Sequence, residues 1–342
     1  MKIGKKHIGD NNPCFIIAEL SANHGGDINT AKETIKAAKR AGADAIKLQT
    51  FTADTITLNC NNDDFKITQG TLWDGSYLHE LYQEAALPWE WHEELFNFAA
   101  KEDIICFSSP FDRTAVDLLE SLNVPAYKIA SFEITDIPLI EYAASKGKPI
   151  ILSTGIAMIE DIELALDACR KMGNNDIALL KCTSSYPAPI EEANMAMIKD
   201  FRNRFDIVAG LSDHTMGNTV PIVSICFGAK IIEKHFILDR SIGGPDATFS
   251  MNEQEFTELV KTIREAESAV GVIDYKLTDK QLKSRDFSRS LYVVQDIKAG
   301  DLITEENLRS IRPGFGLHPK YYNQVLGTKS KRDFNFGDRF EL

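Results

Sequence analysis

A chain of 342 residues with 44% hydrophobic content can bury the core of one large domain, or of a large and a small one, and its formal net charge of -12 argues against a broad nucleic-acid or acidic-membrane footprint. No stretch approaches the roughly 18 apolar residues of a spanning helix, and the polar run Met1 to Asn12 lacks an apolar signal core, so a cytoplasmic protein is expected. Six cysteines, at 14, 60, 106, 169, 182 and 226, form no C-x-x-C pair, which suits buried thiols in a reduced compartment better than a disulfide framework or a zinc finger.

Eight short β-branched or apolar runs end in polar residues: Cys14 to Glu19, Ala45 to Gln49, Ile104 to Ser108, Tyr127 to Ser131, Ile150 to Ser153, Ala178 to Thr183, Ile207 to Ser212 and Lys230 to His235. Between them, Thr30 to Arg40, Glu90 to Lys101, Ile159 to Lys171 and Glu191 to Arg204 carry apolar positions at helical spacing. Eight strand-helix units in about 270 residues predict a (β/α)8 TIM barrel over residues 1–273, with its working side chains at the carboxyl ends of the strands. An open doubly wound sheet is the alternative.

The segment Thr50 to Pro88 breaks this rhythm and is far longer than an ordinary strand-to-helix loop, so a lid or substrate-side loop is expected there. Asn23-His24-Gly25-Gly26 has the wrong spacing for G-x-G-x-x-G, which leaves a nucleotide cofactor without support. After the helical stretch Asn252 to Val270, residues 274–286 read as a charged, helix-poor linker and residues 287–342 as a small β-rich domain. That domain contains an echo, Asp296-Ile-Lys-Ala-Gly-Asp301 against Asp333-Phe-Asn-Phe-Gly-Asp338, which is either two ordinary Gly-Asp turns or a pair of pseudo-symmetric halves. Its core is marginal alone, so it is expected to dock on the barrel or on a second subunit.

The predicted strand ends carry Glu19, Asn23, Lys47, Gln49, Ser109, Lys128, Ser131, Glu133, Ser153, Lys181, Thr183, Ser184, Ser212, Asp213, His214, Glu233 and His235. One lysine ending a strand is ordinarily a surface charge; Lys47 and Lys128 flanked by Ser109, Ser131, Ser153 and Ser212 suit a phosphate or carboxylate. One histidine is ordinarily a hydrogen-bonded structural residue, whereas His214 and His235 on neighbouring strand ends, with Asp213 and Glu233 beside them, suit a metal ion. Two imidazoles with open positions favour Mn²⁺ or Mg²⁺ acting as a Lewis acid over closed structural zinc. No G-x-S-x-G elbow occurs, and Cys182 sits in an apolar run.

These residues fall in motifs that resemble the sialic acid synthase family: Phe15-Ile-Ile-Ala-Glu-Leu-Ser-Ala-Asn-His24, Ala43-Asp-Ala-Ile-Lys-Leu-Gln-Thr50, Phe107-Ser-Ser-Pro-Phe111, Tyr127-Lys-Ile-Ala-Ser-Phe-Glu133, Leu152-Ser-Thr-Gly155, Gly210-Leu-Ser-Asp-His214, Glu233-Lys-His235 and Arg312-Pro-Gly-Phe-Gly316. The resemblance runs nearly the whole length. The family condenses phosphoenolpyruvate with an open-chain N-acetylated aminosugar to give a nine-carbon 2-keto acid and phosphate. By resemblance, Lys47, Ser109, Lys128, Ser131, Ser153, Ser184 and Ser212 hold phosphoenolpyruvate, and His214 and His235 bind Mn²⁺, with Mg²⁺ or another divalent ion as substitute. Asn23, Gln49, Tyr186, Asp246 and Arg312 face the sugar, and Glu133, Glu233, Asp246 and Lys47 carry the catalytic roles. The C-terminal domain resembles an antifreeze-like, or SAF, domain, which in this family caps the barrel of the other subunit in a domain-swapped homodimer. Leu72-Trp73-Asp74 and Leu317-His-Pro-Lys-Tyr-Tyr322 resemble the pseudaminic branch, whose substrate is a 6-deoxy-2,4-diacetamido altrose. The legionaminic and N-acetylneuraminic branches are the near alternatives. A non-catalytic sugar- or metal-binding barrel and a Schiff-base aldolase using Lys128 or Lys47 are the distant ones.

Overall fold

In the computed structural model, which describes every residue except Gln69, Thr71 and Leu72, the chain divides into two compact units, Met1–Gly271 and Val272–Leu342. The first is a closed barrel of eight parallel strands: β1 (Phe15–Glu19), β2 (Ala45–Thr50), β3 (Ile105–Pro110), β4 (Tyr127–Ile129), β5 (Ile150–Ser153), β6 (Ile177–Cys182), β7 (Val208–Asp213) and β8 (Ile231–His235), with β8 pairing with both β7 and β1. The expected (β/α)8 barrel is therefore the fold, and the open sheet is not. Its helices are α1 (Ile28–Arg40), α2 (Ala53–Ile56), α3 (Leu78–Ala85), α4 (His92–Lys101), α5 (Arg113–Ser121), α6 (Ile137–Ala144), α7 (Ile159–Lys171), α8 (Ala196–Phe205), α9 (Thr219–Cys226) and α10 (Glu253–Val270). Among the described residues no helix is long and apolar enough to cross a membrane.

Side-chain alternation decides what each strand offers. Phe15, Ile17, Ala45, Phe107, Ile151, Ala178, Leu180 and Ile231 pack together with Ile3 and Ile8 of a short N-terminal hairpin region, filling the lower barrel. Ile16, Ile46, Leu48, Ile150, Leu152, Leu179 and Ile232 point the other way and join Ile35, Leu95, Val116 and Ile140 of the helices in a larger core. Carrying the inward set upward by two residues places Glu19, Lys47, Lys128, Ser153, Cys182, Ser212 and Glu233 inside the upper barrel. Gly210 belongs to the interior because a Cβ there would stand 2.8 Å from Leu180 Cδ2 and 2.9 Å from Ile231 Cβ, both of the inward set.

Some elements depart from expectation. The fourth strand ends at Ile129 rather than Ser131, since the chain rises into a tight turn, Ser131–Glu133, where the Glu133 amide donates to the Ala130 carbonyl at 3.1 Å. The helix expected over Glu191 to Arg204 begins only at Ala196, preceded by a separate turn, Ile190–Glu192, and by Asn194 in the left-handed region at φ 53°. Residues 274–286 are not helix-poor: α11 (Asp279–Ser284) starts on a reciprocal capping box between Thr278 and Gln281. Of the six cysteines, Cys14, Cys106, Cys169 and Cys182 are buried and Cys226 is exposed.

The second unit pairs β9 (Ser290–Val293) with β10 (Leu308–Ile311) around Leu291, Val293, Ile297, Leu308, Phe334 and Phe340. The sequence echo is structural. Ile297 and Phe334 exchange backbone hydrogen bonds at 2.9 and 2.8 Å, the Phe336 amide donates to Asp296 at 2.7 Å, and the Ala299 amide donates to Asp333 at 2.8 Å.

Candidate active site

The upper barrel holds a buried charge cluster set by strand register, which aligns Glu19 with Lys47 and Ser212 with Glu233. Lys47 Nζ lies 2.5 Å from Glu19 Oε2 and 2.9 Å from Glu233 Oε1; Lys128 Nζ lies 3.1 Å from that second oxygen, to which Ser212 Oγ also donates at 3.1 Å. Burial alone would raise the Glu233 carboxyl, but the Lys128 and Lys47 ammoniums hold it well below the usual carboxylate range. Burial also brings the Lys47 ammonium down to about 7, against the pull of Glu233. Around this cluster the Oγ atoms of Ser109, Ser153 and Ser184 are buried without a protein partner. Such hydroxyls are costly unless a ligand meets them, and beside two ammoniums they fit an oxygen-rich anion. Gly155 shapes the same corner: its amide donates to Ser131 Oγ at 3.1 Å, and a Cβ there would stand 2.0 Å from Ser184 Oγ and 2.7 Å from Ser131 Oγ.

At the top of β7 and β8, the rings of His214 and His235 lie 5.3 Å apart between centroids. His214 Nδ1 donates to the Thr183 carbonyl at 2.9 Å, which leaves Nε2 as the lone-pair nitrogen; Cys182 Sγ lies 3.7 Å from the same Nδ1. Burial holds the His235 imidazole well below its ordinary range, and its Nδ1 is buried without a hydrogen-bond partner, 3.8 Å from Asp246 Oδ2. Among the described residues no group of three or more His, Cys, Asp or Glu side chains could hold a metal ion. The orphaned His235 nitrogen and the carbonyl-fixed His214 ring nevertheless fit two-point attachment of an ion whose other positions go to water or substrate.

Above them opens a cavity of about 750 Å³ that includes Ser21, Gln49, Glu133, Tyr186, His235 and Asp246 in its lining. Asp246 accepts a hydrogen bond from Ser21 Oγ and one from the Ala22 amide, and burial raises its carboxyl despite them. Gln49 Nε2 donates to the same Ser21 hydroxyl at 3.1 Å. Glu133 has a buried oxygen without a partner, and burial raises its carboxyl to about 7, which suits it to exchange a proton near neutral pH. Tyr186 packs against His214 at 4.3 Å, Phe249 at 5.4 Å and Trp73 at 5.7 Å between ring centroids, and burial keeps its phenol protonated.

The structure thus brings together Lys47, Lys128, Glu233 and the serines in one group, and His214, His235, Tyr186, Asp246, Gln49 and Glu133 in another. Some strand-end residues turn away from these groups. Asp213, read as standing beside the histidines, points out of the barrel and pairs with Lys234; Lys181 points outward too, donating to the Cys182 carbonyl at 2.5 Å. Asn23 is buried, with its amide nitrogen donating to the Phe236 carbonyl at 3.1 Å and to Ser250 Oγ at 2.8 Å. Arg312 belongs to the second unit, and Leu72 of the Leu72-Trp73-Asp74 motif lies outside the described residues. Sequence reasoning missed Ser21, which the two-residue step from Glu19 could have found, and Phe249, for which no local signal exists.

The NeuB family pattern spans residues 34–275 and the SAF domain pattern residues 288–338. The chain belongs to the NeuB family. Within it, the chain is 50% identical over 321 residues to the pseudaminic acid synthase of Helicobacter pylori, covering 94% of each chain. To that of Campylobacter jejuni it is 48% identical over 324 residues, covering 95% of this chain and 94% of the relative. Among solved NeuB-like structures, the N-acetylneuraminic acid synthetase of Leptospira borgpetersenii superposes with a TM-score of 0.74 at 32% identity, over 83% of this chain and 94% of that one.

Proposed function

We infer that this chain is a pseudaminic acid synthase, condensing phosphoenolpyruvate with open-chain 2,4-diacetamido-2,4,6-trideoxy-altrose to give pseudaminic acid and phosphate. The observation that carries the reading is the stacking of two complementary sites in one barrel: a buried lysine-hydroxyl cluster below, and a histidine pair opening on a roomy cavity above. Identity of 48–50% to enzymes named for this sugar, against 32% to the N-acetylneuraminic acid synthetase, supports the choice of branch.

In this reading Lys47, Lys128 and the hydroxyls of Ser109, Ser131, Ser153, Ser184 and Ser212 hold the phosphate and carboxylate, while Glu233, accepting from both ammoniums on one oxygen, holds them side by side and aimed. His214 and His235 would hold Mn²⁺, or Mg²⁺ in its place, which when bound supplies Lewis acidity toward the aldehyde oxygen. The enol carbon attacks the aldehyde carbon and forms the new C–C bond. Water then adds to the carbon bearing phosphate, and phosphate leaves with the bridging oxygen, so that the C–O bond breaks and a 2-keto group remains. Glu133, poised near neutrality, either protonates the new alkoxide or takes a proton from the entering water. Gln49, Tyr186 and Asp246 orient the sugar. A cytoplasmic homodimer, with Arg312 contributed in trans, belongs to the same reading.

Incubation with phosphoenolpyruvate, Mn²⁺ and each candidate aminosugar, following phosphate, is the test. Release with the altro-configured sugar is expected, with an isotopic label in the bridging oxygen recovered in phosphate. Release only with manno-configured sugars moves the chain to the legionaminic or N-acetylneuraminic branch, and no release with any sugar overturns the synthase reading. EDTA should abolish turnover; EDTA-insensitive turnover with borohydride-trapped substrate would mean a Schiff-base lysine instead.

A further inference from the structure

The cavity over the barrel mouth has two unlike walls. Ser21, Gln49, Tyr186, His235 and Asp246 line it with polar groups, whereas Phe51, Ile56, Ile67, Leu78, Leu81 and Tyr82, all from the segment inserted after β2, line it with carbon. The apolar wall is firmly built. Phe51 is only 3% exposed and meets Tyr82 and Phe111 edge-on, at 5.9 and 5.1 Å between ring centroids, and Ile67 is 6% exposed. In front of this aromatic backing, Ile56 of α2 and Leu78 and Leu81 of α3 are half-buried and line the cavity. The Tyr82 hydroxyl apart, such a surface offers nothing to phosphate or to a carbonyl in reaction. Hydroxyls of a sugar laid against it would lose their water without gaining a partner, while methyl groups would leave water favourably.

We propose that this wall is a subsite for the methyl groups at the far end of the aldehyde substrate, the C6 methyl and the neighbouring 4-acetamido methyl, and that Leu81 and Ile56 set the preference for a 6-deoxy over a 6-hydroxy sugar. The proposal deepens the synthase reading and rests on it. With C1 held at the histidine end, the opposite end of an open-chain hexose extends toward α2 and α3. An apolar pocket separates alkyl from hydroxylated homologues by about 10- to 100-fold, and that is the size of preference expected.

The test compares kcat/KM for the 6-deoxy diacetamido sugar with that for its 6-hydroxy analogue, in the unaltered chain and in Leu81→Asn, Ile56→Asn and Leu81→Ala. Each asparagine should cut the preference by about tenfold, through the KM for sugar, with the KM for phosphoenolpyruvate unchanged because its cluster lies within the barrel. Leu81→Ala, still apolar, should keep most of the preference. If Leu81→Asn does not fold, Ile56→Asn reads the same ratio. Turnover with an unchanged ratio in the asparagine variants overturns the subsite and leaves the synthase reading standing. Failure of the unaltered chain to turn over any aminosugar overturns the synthase reading, and the subsite with it.

Discussion

Glu233 and Lys234 are adjacent on β8, both buried and both in ion pairs, yet they do opposite work. Lys234 faces the helical layer, where it contacts Asp213 Oδ2 and donates to the Thr215 carbonyl at 2.6 Å, while Asp213 Oδ1 accepts from the Thr215 amide at 3.0 Å and from its hydroxyl at 2.8 Å. Every oxygen of that carboxylate is engaged. Glu233 faces the barrel mouth and concentrates Lys47, Lys128 and Ser212 on one oxygen, while the other is buried with no partner. A saturated pair fastens a strand to its neighbour; a pair with unmet hydrogen-bonding capacity is set up for something that arrives.

The contrast can be broken from either side. Lys234→Met leaves Asp213 buried without its cation and should cost about 3–5 kcal/mol, read as an earlier urea midpoint. Restoring neutrality with Asp213→Leu in the same chain should return much of that loss. On the other face, Glu233→Gln should lower kcat/KM for phosphoenolpyruvate by about 10²–10³ with a much smaller change in unfolding midpoint, because the two ammoniums lose the group that aims them. An unfolding loss as large as that of Lys234→Met would erase the distinction.

Glu133 sharpens it further. Its carboxyl is raised from 4.5 to about 7 by burial, so between those values the folded chain keeps a proton that the unfolded chain has released. Stability therefore falls as pH rises through that window, by up to about 3 kcal/mol, and Glu133→Gln should flatten the slope in unfolding measured from pH 4 to 8. The same variant should remove a limb of the activity profile near neutrality. The smallest effect belongs to Gly155→Ala, whose new methyl must displace the Ser184 and Ser131 hydroxyls; the KM for phosphoenolpyruvate should rise about tenfold with little change in stability.

Much of this was legible because a parallel barrel is a periodic object. The rhythm of apolar runs gave the eight strands, and a period of two from Phe15 and Ala45 carries to Glu19 and Lys47 at the mouth. What one residue of phase obscured was Asp213: it sits at a strand end next to His214, and only the register shows that it points outward. The corner made by Gly155 against Ser184 and Ser131 joins separate loops, and Tyr186 meets Phe249 and Trp73 across long stretches of chain, so no local pattern announces them. The segment after β2 advertised itself by length, but its division into a carbon wall facing a polar one depends on how α2 and α3 lie over the mouth.

The reciprocal bonds of the small second unit carry one more consequence. Asp296 holds the backbone of the loop at Phe336, and Asp333 holds the loop at Ala299, so each half of the duplicated motif is the clasp of the other. Neither loop can open without releasing its twin. A module with so little interior would be expected to fray piecemeal; this cross-lacing makes its two halves melt together, so damage to either aspartate should be felt on both sides of the domain at once.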